Sequence, residues 1–379
     1  MDLYTVARPL IFRFNAETAH NLALWWAGNV VRGPVRWLAR AVHEVRDPRL
    51  AQTLWSIAFA NPVGIAAGLD KNAVAIPGLA AYGASHLEIG TLTGQAQPGN
   101  DRPRLFRLVA DQAVINRMGF NNQGAAAVAA RLARRYAPVA ASGNRPPCVL
   151  GINLGKSKVV PLDQAADDYR VSVRALGAFA DYVVVNVSSP NTPNLRDLQG
   201  EAMLRPLLTA VRSELDAVAP PRAGRRTPLL LKIAPDLADA GIDAAVDVAI
   251  ATGCDGLICT NTTITRSGLT LGEAQIQALG AGGLSGAPLR QRATAVLARV
   301  ARRIRQLPAA HQVPVIGVGG IDSAEAAWEK ISHGANLVQV YTALVYHGPG
   351  LIAAINQGLI RRCEQAGLKS IADAVGRSL

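Results

Sequence analysis

The sequence predicts an α/β protein: a (β/α)8 TIM barrel preceded by a short N-terminal helical extension. Three observations carry this. From Pro48 onward short apolar strands alternate with helical stretches, and there are eight such strands. Several are near-continuous apolar runs, such as Val183-Val184-Val185 and Leu229-Leu230-Leu231, the pattern of strands covered on both faces. An open doubly wound sheet is the runner-up, but eight sequential units fit a closed barrel better.

In chain order, the segment at 1–46 differs from the rest. Apolar residues at three- and four-residue steps predict two short helices, over Glu17–Val31 and Val35–Val45, parted by Gly33-Pro34. Three of the five tryptophans (Trp25, Trp26, Trp37) lie here among Arg36, Arg40 and Arg46. Indole rings with arginines suit a lipid–water interface; a helical pair packed on the main domain reads equally well from the pattern alone. The remainder, 47–379, reads as one domain. Its strands are expected at Val63–Ala67, His86–Gly90, Val149–Leu154, Tyr182–Val187, Leu229–Ala234, Gly256–Thr260, Val313–Val318 and Asn336–Tyr341. Helices are expected over Asp163–Phe179, Glu201–Val218, Ala238–Ala251, Pro288–Gln306, Ser323–His333 and Pro349–Glu364, and an extra hairpin over Leu105–Ile115.

With 379 residues, 50% hydrophobic and 17% charged, the chain can bury a large core and is not disordered or collagen-like. Its four cysteines form no C-x-x-C pair, which argues against structural zinc or any metal site and fits a reducing compartment. No apolar run reaches 18 residues and no secretory signal is visible, so the cytoplasmic side is expected. The +12 charge comes mostly from scattered arginines without aromatic interleaving, which gives no nucleic-acid-binding pattern.

The strand ends carry the chemistry. They read Asp70-Lys71, Thr91, Asn153, Asn186 with Ser188 and Ser189, Lys232, Thr260-Asn261-Thr262, Gly319-Gly320, and Tyr341-Thr342. In a barrel these ends converge on one mouth, where active sites are built. Gly317-Val318-Gly319-Gly320 and Tyr341-Thr342 follow strands seven and eight, the usual phosphate-binding corner, and Gly282–Gly286 can add a backbone edge. No P-loop and no strand-G-x-G-x-x-G-helix unit is present, so a mononucleotide or sugar phosphate fits better than ATP or NAD. Asparagines 116, 153, 186, 191 and 261 offer neutral donor–acceptor pairs suited to a pyrimidine or an isoalloxazine edge. Lys232 can be a Schiff-base lysine, a phosphate clamp or a charge beside a reduced flavin, and Lys71 suits a substrate carboxylate.

Seven strings then resemble the dihydroorotate dehydrogenases: Ala66-Ala67-Gly68-Leu69-Asp70-Lys71, Asn116-Arg117-Met118-Gly119-Phe120-Asn121-Asn122, Asn186-Val187-Ser188-Ser189-Pro190-Asn191-Thr192, Lys232-Ile233-Ala234-Pro235-Asp236, Thr260-Asn261-Thr262-Thr263, Gly317-Val318-Gly319-Gly320-Ile321 and Tyr341-Thr342. They fall in family order across about 60 to 342. The resemblance implies FMN as cofactor, dihydroorotate oxidised to orotate in pyrimidine (UMP) biosynthesis, and Ser189 as the catalytic base. Serine rather than cysteine at 189, with the helical segment 1–46, is similar to the quinone-reducing class 2 branch.

The resemblance further implies that FMN lies across Ala67, Gly68, Leu69, Asp70, Lys71, Thr91, Asn153, Asn186, Lys232, Thr260, Gly286, Gly320, Tyr341 and Thr342. Substrate would meet Lys71, Asn116, Arg117, Met118, Gly119, Phe120, Asn186, Asn191, Asn261 and Thr262. The branch implies peripheral attachment through 1–46 on the cytoplasmic face of the inner membrane, with a membrane quinone as acceptor; a monomer is expected. Two departures stand out: the run Leu92–Pro98 lacks the usual T-P-x-P-Q-P look, and Asn194 sits where the family often has glycine.

Overall fold

Eight parallel strands close on themselves in strict sequence order in the computed structural model, which describes residues 3–139, 141, 143–219 and 226–379. They are β1 (Val63–Ile65), β2 (His86–Leu92), β3 (Val149–Leu154), β4 (Tyr182–Asn186), β5 (Leu229–Ile233), β6 (Gly256–Cys259), β7 (Val315–Val318) and β8 (Leu337–Val340). Each contains most of one expected strand. β8 pairs with β1, Gln339 opposite Gly64, and so completes the (β/α)8 barrel.

Side-chain alternation divides each strand between lumen and outer core. On β5, Leu230 faces a lumen cluster with Tyr182, Val184, Ile258, Ile316 and Leu337, while Leu229 and Leu231 join the outer core beneath the helices. Glycines make room for the large lumen residues. A Cβ on Gly64 would lie 2.3 Å from the His86 ring, and one on Gly151 would lie 2.3 Å from the Tyr182 ring.

A hairpin that the sequence reading does not anticipate, Gln52–Leu54 with Ile57–Phe59, plugs the barrel's N-terminal end. Trp55 Nε1 donates to the Asp255 carbonyl at 2.7 Å, and Phe59 packs edge-on against His86. Both strands are only three residues long, too short to show a period.

The outer helices follow the apolar stripes. In Arg290–Arg305, Ala293, Val296, Leu297, Val300 and Ile304 are buried. Arg299 and Arg303, one turn apart, pair with Asp243 and Asp247 on helix Asp239–Ala251. The expected hairpin exists as Leu105–Leu108 and Ala113–Asn116, joined by Gly283–Gly286 into a three-stranded cap over the barrel mouth.

The N-terminal segment holds three helices rather than two: α1 (Leu3–Ile11), α2 (Ala16–Asn29) and α3 (Gly33–His43). The sequence reading misses α1, which is short and carries Pro9, a residue that normally argues against a helix interior. Asn15 caps α2 by accepting from Glu17 N at 2.9 Å. Helix α2 crosses helix Ile76–Ala80 closely, because a Cβ on Gly78 would lie 2.0 Å from the Ala27 carbonyl oxygen. Glu17 of α2 forms a buried ion pair with Arg104 at 2.8 Å, below the cap. By contrast α3 buries none of its residues, and its Trp37 is 72% exposed. Among the described residues no helix is long and apolar enough to cross a membrane.

Candidate active site

Seven of the eight C-terminal strand ends and the cap enclose a cleft of about 1100 Å³, counting its open mouth. Its floor is a web of neutral polar side chains. Asn186 Nδ2 donates to Thr91 Oγ1 at 2.9 Å and to Asn153 Oδ1 at 3.1 Å. Asn186 Oδ1 accepts from Ser188 Oγ at 2.9 Å and Asn261 Nδ2 at 3.2 Å. Satisfied by one another, these groups are held in fixed orientations. Asn186, Thr91, Thr260, Asn261 and Thr262 line the cleft; Asn153 sits one layer below and orients Thr91 and Asn186.

Two buried lysines enter this neutral setting, and neither amine has a hydrogen-bond partner among the described residues. Burial, with Arg104 nearby, pushes Lys71 down to about 8. Burial also lowers Lys232, while the Glu88 charge opposes that shift. Amines without a hydrogen-bond partner at a cleft are suited to anionic or electron-rich ligand groups.

Ser189 stands at the cleft wall with its Oγ accepting from Asn191 N at 3.2 Å. Arg196 secures this loop by donating to the Ser188 carbonyl at 3.1 Å and the Thr262 carbonyl at 3.0 Å while pairing with Asp236 at 2.8 Å. Asn194 takes a left-handed conformation (φ 57°), open to glycine and tolerated by asparagine, so this departure leaves the turn intact. Asn191 Nδ2 reaches Asn116 Oδ1 at 3.0 Å and ties the loop to the cap. Met118, Gly119 and Phe120 line the facing wall. The altered run Leu92–Pro98 supports that wall: Gln97 bridges Asn122 and its Nε2 donates to the Gly119 carbonyl at 2.9 Å. The Thr192 hydroxyl is buried and has no partner among the described residues.

The corner after β7 and β8 is a backbone cradle. Gly319 and Gly320 both have positive φ (114° and 68°), and a Cβ on Gly320 would lie 2.5 Å from Arg290 Cα. Gly286, Tyr341 and Thr342 complete the corner, with Thr342 Oγ1 donating to Ser285 Oγ at 2.8 Å. Only glycine permits backbone this close, as a bound phosphate requires.

Ala67 and Gly68 line the cleft as well, but Leu69, Asp70 and Arg117 are placed elsewhere. Leu69 packs against the outer core. Asp70 is fully buried and accepts from Val74 N at 3.0 Å and Ala75 N at 2.7 Å, so its carboxylate holds the turn that presents Lys71. Arg117 turns away, its guanidinium 4.7 Å over the Phe106 ring and donating to the Leu279 and Ala281 carbonyls. The side chains of these three, like that of Asn153, hold supporting positions around the cleft rather than lining it. Strand ordinal locates a loop at the mouth but does not say which of its side chains point inward.

The sequence reading also misses Gln112, Ala287, Leu289, Asp322 and Gln339, which line the cleft. Gln339 had a signal, a polar residue within the apolar run Leu337–Val340. Burial pushes the thiols of Cys148, Cys254 and Cys259 up to about 12, so none is poised as an acid or nucleophile at neutral pH.

Residues 49–363 match the family model described as "Dihydroorotate dehydrogenase". Curated proteins named "Dihydroorotate dehydrogenase (quinone)" are similar over nearly their full length. That of Streptomyces griseus is 49% identical over 376 residues, covering 99% of this chain and 98% of the relative. That of Thermobifida fusca is 50% identical over 375 residues, covering 98% and 95%. Among solved structures, DHODH of Eimeria tenella in complex with ferulenol superposes with a TM-score of 0.86 at 36% identity, covering 98% of each chain.

Proposed function

We propose, taking as premise that the chain belongs to the dihydroorotate dehydrogenase family, that its cleft oxidises dihydroorotate to orotate with FMN as bound cofactor and a membrane quinone as final acceptor, in pyrimidine biosynthesis. The observation that carries this reading is the meeting, in one cleft, of a glycine cradle, two unpartnered buried amines and a floor of fixed neutral amides. FMN fits that set. The backbone of Gly319–Gly320, Gly286 and Thr342 would hold the phosphate. Lys232 would face the N1/O2 edge of the ring, and Ala67, Gly68, Thr91, Asn186 and Thr260 would bound it. Held there, FMN would supply a two-electron acceptor for the hydride from C6 of the substrate, with quinone as the final acceptor.

The chain's own residues supply the rest. Lys71 binds the substrate carboxylate as an ammonium. Asn116, Asn191, Asn261 and Thr262 pair with the ring amides, and Met118 to Phe120 close the facing wall and exclude water. Ser189 Oγ takes the proton from C5. A neutral serine is a weak base, so the proton must move on, and the unpartnered Thr192 hydroxyl and the backbone at Phe120 are the groups at hand. The Arg196–Asp236 pair keeps Ser189 in register while this happens.

The N-terminal helices dock peripherally on the cytoplasmic face of the inner membrane and admit quinone beneath them. Ten of the fourteen exposed large apolar side chains among the described residues lie within the first 42 positions, which supports a lipid-facing role. Heat-denaturing the purified protein and identifying the released chromophore tests the cofactor. One FMN per chain is expected, and riboflavin, FAD or no flavin would refute it.

A further inference from the structure

Beneath the cleft, the barrel lumen holds a carboxylate with no cation in contact among the described residues. Glu88 on β2 is fully buried. Its Oε1 accepts from Gln339 Nε2 at 2.5 Å and from the Tyr182 hydroxyl at 3.2 Å, and its Oε2 accepts from Asn153 Nδ2 at 3.2 Å. All three donors are neutral. Burial, with the Glu88 carboxylate alongside, pushes the Tyr182 phenol well above its ordinary value.

Lys232 on β5 occupies the same lumen, one layer nearer the cleft, and Glu88 is the charged group that acts on its amine. The other titratable groups around it are neutral or distant in effect. His86 is held neutral by burial, its value near 3. Tyr182 and Tyr341 stay protonated, and Lys71 lines the same cleft from the loop after β1. A buried ammonium without a counter-charge tends to release its proton, and in a lumen of low dielectric two opposite charges interact across a layer of amides.

We propose that Glu88 is the internal counter-charge of Lys232, a positioning residue that keeps the amine charged at the cofactor's edge. Asn153 and Gln339 are the neutral spacers: one orients Asn186 and Thr91 at the cleft floor, the other lines the cleft itself. The inference rests on the reading that Lys232 faces FMN. It predicts that the electron affinity of the bound flavin depends on a residue one layer below the site.

The test is the midpoint potential of FMN in the holoenzyme, followed by dye-equilibrated anaerobic titration between pH 6 and 10. In Glu88→Gln the inflection due to Lys232 should move down by roughly 1–3 pH units. Glu88→Asp and Tyr182→Phe, which keep the carboxylate, should resemble wild type, and Lys232→Met should abolish the inflection in either background. A Glu88→Gln profile superimposed on wild type, with Lys232→Met clearly shifted, overturns the counter-charge. A Lys232→Met potential equal to wild type instead overturns the placement of Lys232 at the flavin. If Glu88→Gln folds poorly, the double variant Glu88→Gln/Lys232→Met should melt at a higher temperature than Glu88→Gln alone; an equal or lower melting point contradicts the pairing.

Discussion

The barrel mouth and the N-terminal helices treat burial in opposite ways. At the mouth most polar side chains are consumed by a neighbour, as Asn186, Thr91, Asn153 and Asn261 are, while the amines of Lys71 and Lys232 are left for the space a ligand would fill. In α1 and α2 polar groups are spent on tethers to the main domain. Tyr4 donates to the Val345 carbonyl, Arg8 to the Tyr346 carbonyl, and Glu17 pairs with Arg104. The apolar surface is left outside: Val6, Leu10, Leu22, Trp25, Trp26, Trp37, Leu38 and Val42 are all exposed. An unpartnered polar group inside and an unpartnered apolar face outside both mark where something else binds, but they predict different chemistry and respond to different substitutions.

The largest effect should come at the mouth. Ser189→Ala removes the base, and turnover should fall by about 10²–10⁴-fold while the flavin spectrum and melting temperature stay near wild type. Loss of flavin in that variant would make Ser189 structural. Gly320→Ala puts a Cβ against the Arg290 backbone at a positive φ, so the purified protein should come out depleted of FMN with the barrel's circular dichroism retained.

Between the two regions, Glu17→Gln should lower stability by about 3 kcal/mol, because Arg104 is left buried without its carboxylate. Burial alone would raise the Glu17 carboxyl, but Arg104 and Arg102 outweigh it and hold it below its ordinary value. The pair therefore contributes in full above the unfolded value near 4.5 and is lost as pH falls through the lower folded value. Acid titration followed by tryptophan fluorescence should show the helices loosening in that window, and Glu17→Gln should remove the transition.

Smaller still is the pH dependence of orotate binding. Lys71, pushed down to about 8, loses its charge above that value, so affinity should weaken with rising pH by up to roughly tenfold per unit. Lys71→Met should bind weakly and without this slope. At the other region, Trp37→Ser/Leu38→Ser should reduce vesicle binding about tenfold, with melting temperature and flavin reduction unchanged. A change in flavin reduction would mean that α3 reaches the site, contrary to its lack of buried residues.

The sequence exposed the barrel because its eight strands are apolar on both faces, and exposed the mouth because polar residues recur at each strand's end. It was less informative wherever direction mattered. Asp70 and Arg117 lie in the right loops but turn away, one into its own backbone turn and the other onto Phe106. Asn153 needed the neighbouring strands to show that it supports the floor from below. Ala287 and Leu289 reach the cleft only because Gly283–Gly286 joins the cap, a tertiary pairing no local pattern announces. Glu88 was hidden in an apolar run, where a single buried acid gains meaning only from Gln339, Tyr182 and Asn153 around it.

The most direct measurement is the visible spectrum of the purified protein in mild detergent, recorded anaerobically before and after adding dihydroorotate. A yellow protein that bleaches on addition is the expected result, since cofactor and substrate meet in one cleft. A yellow protein that stays oxidised, or a colourless one that cannot take up FMN, would contradict it.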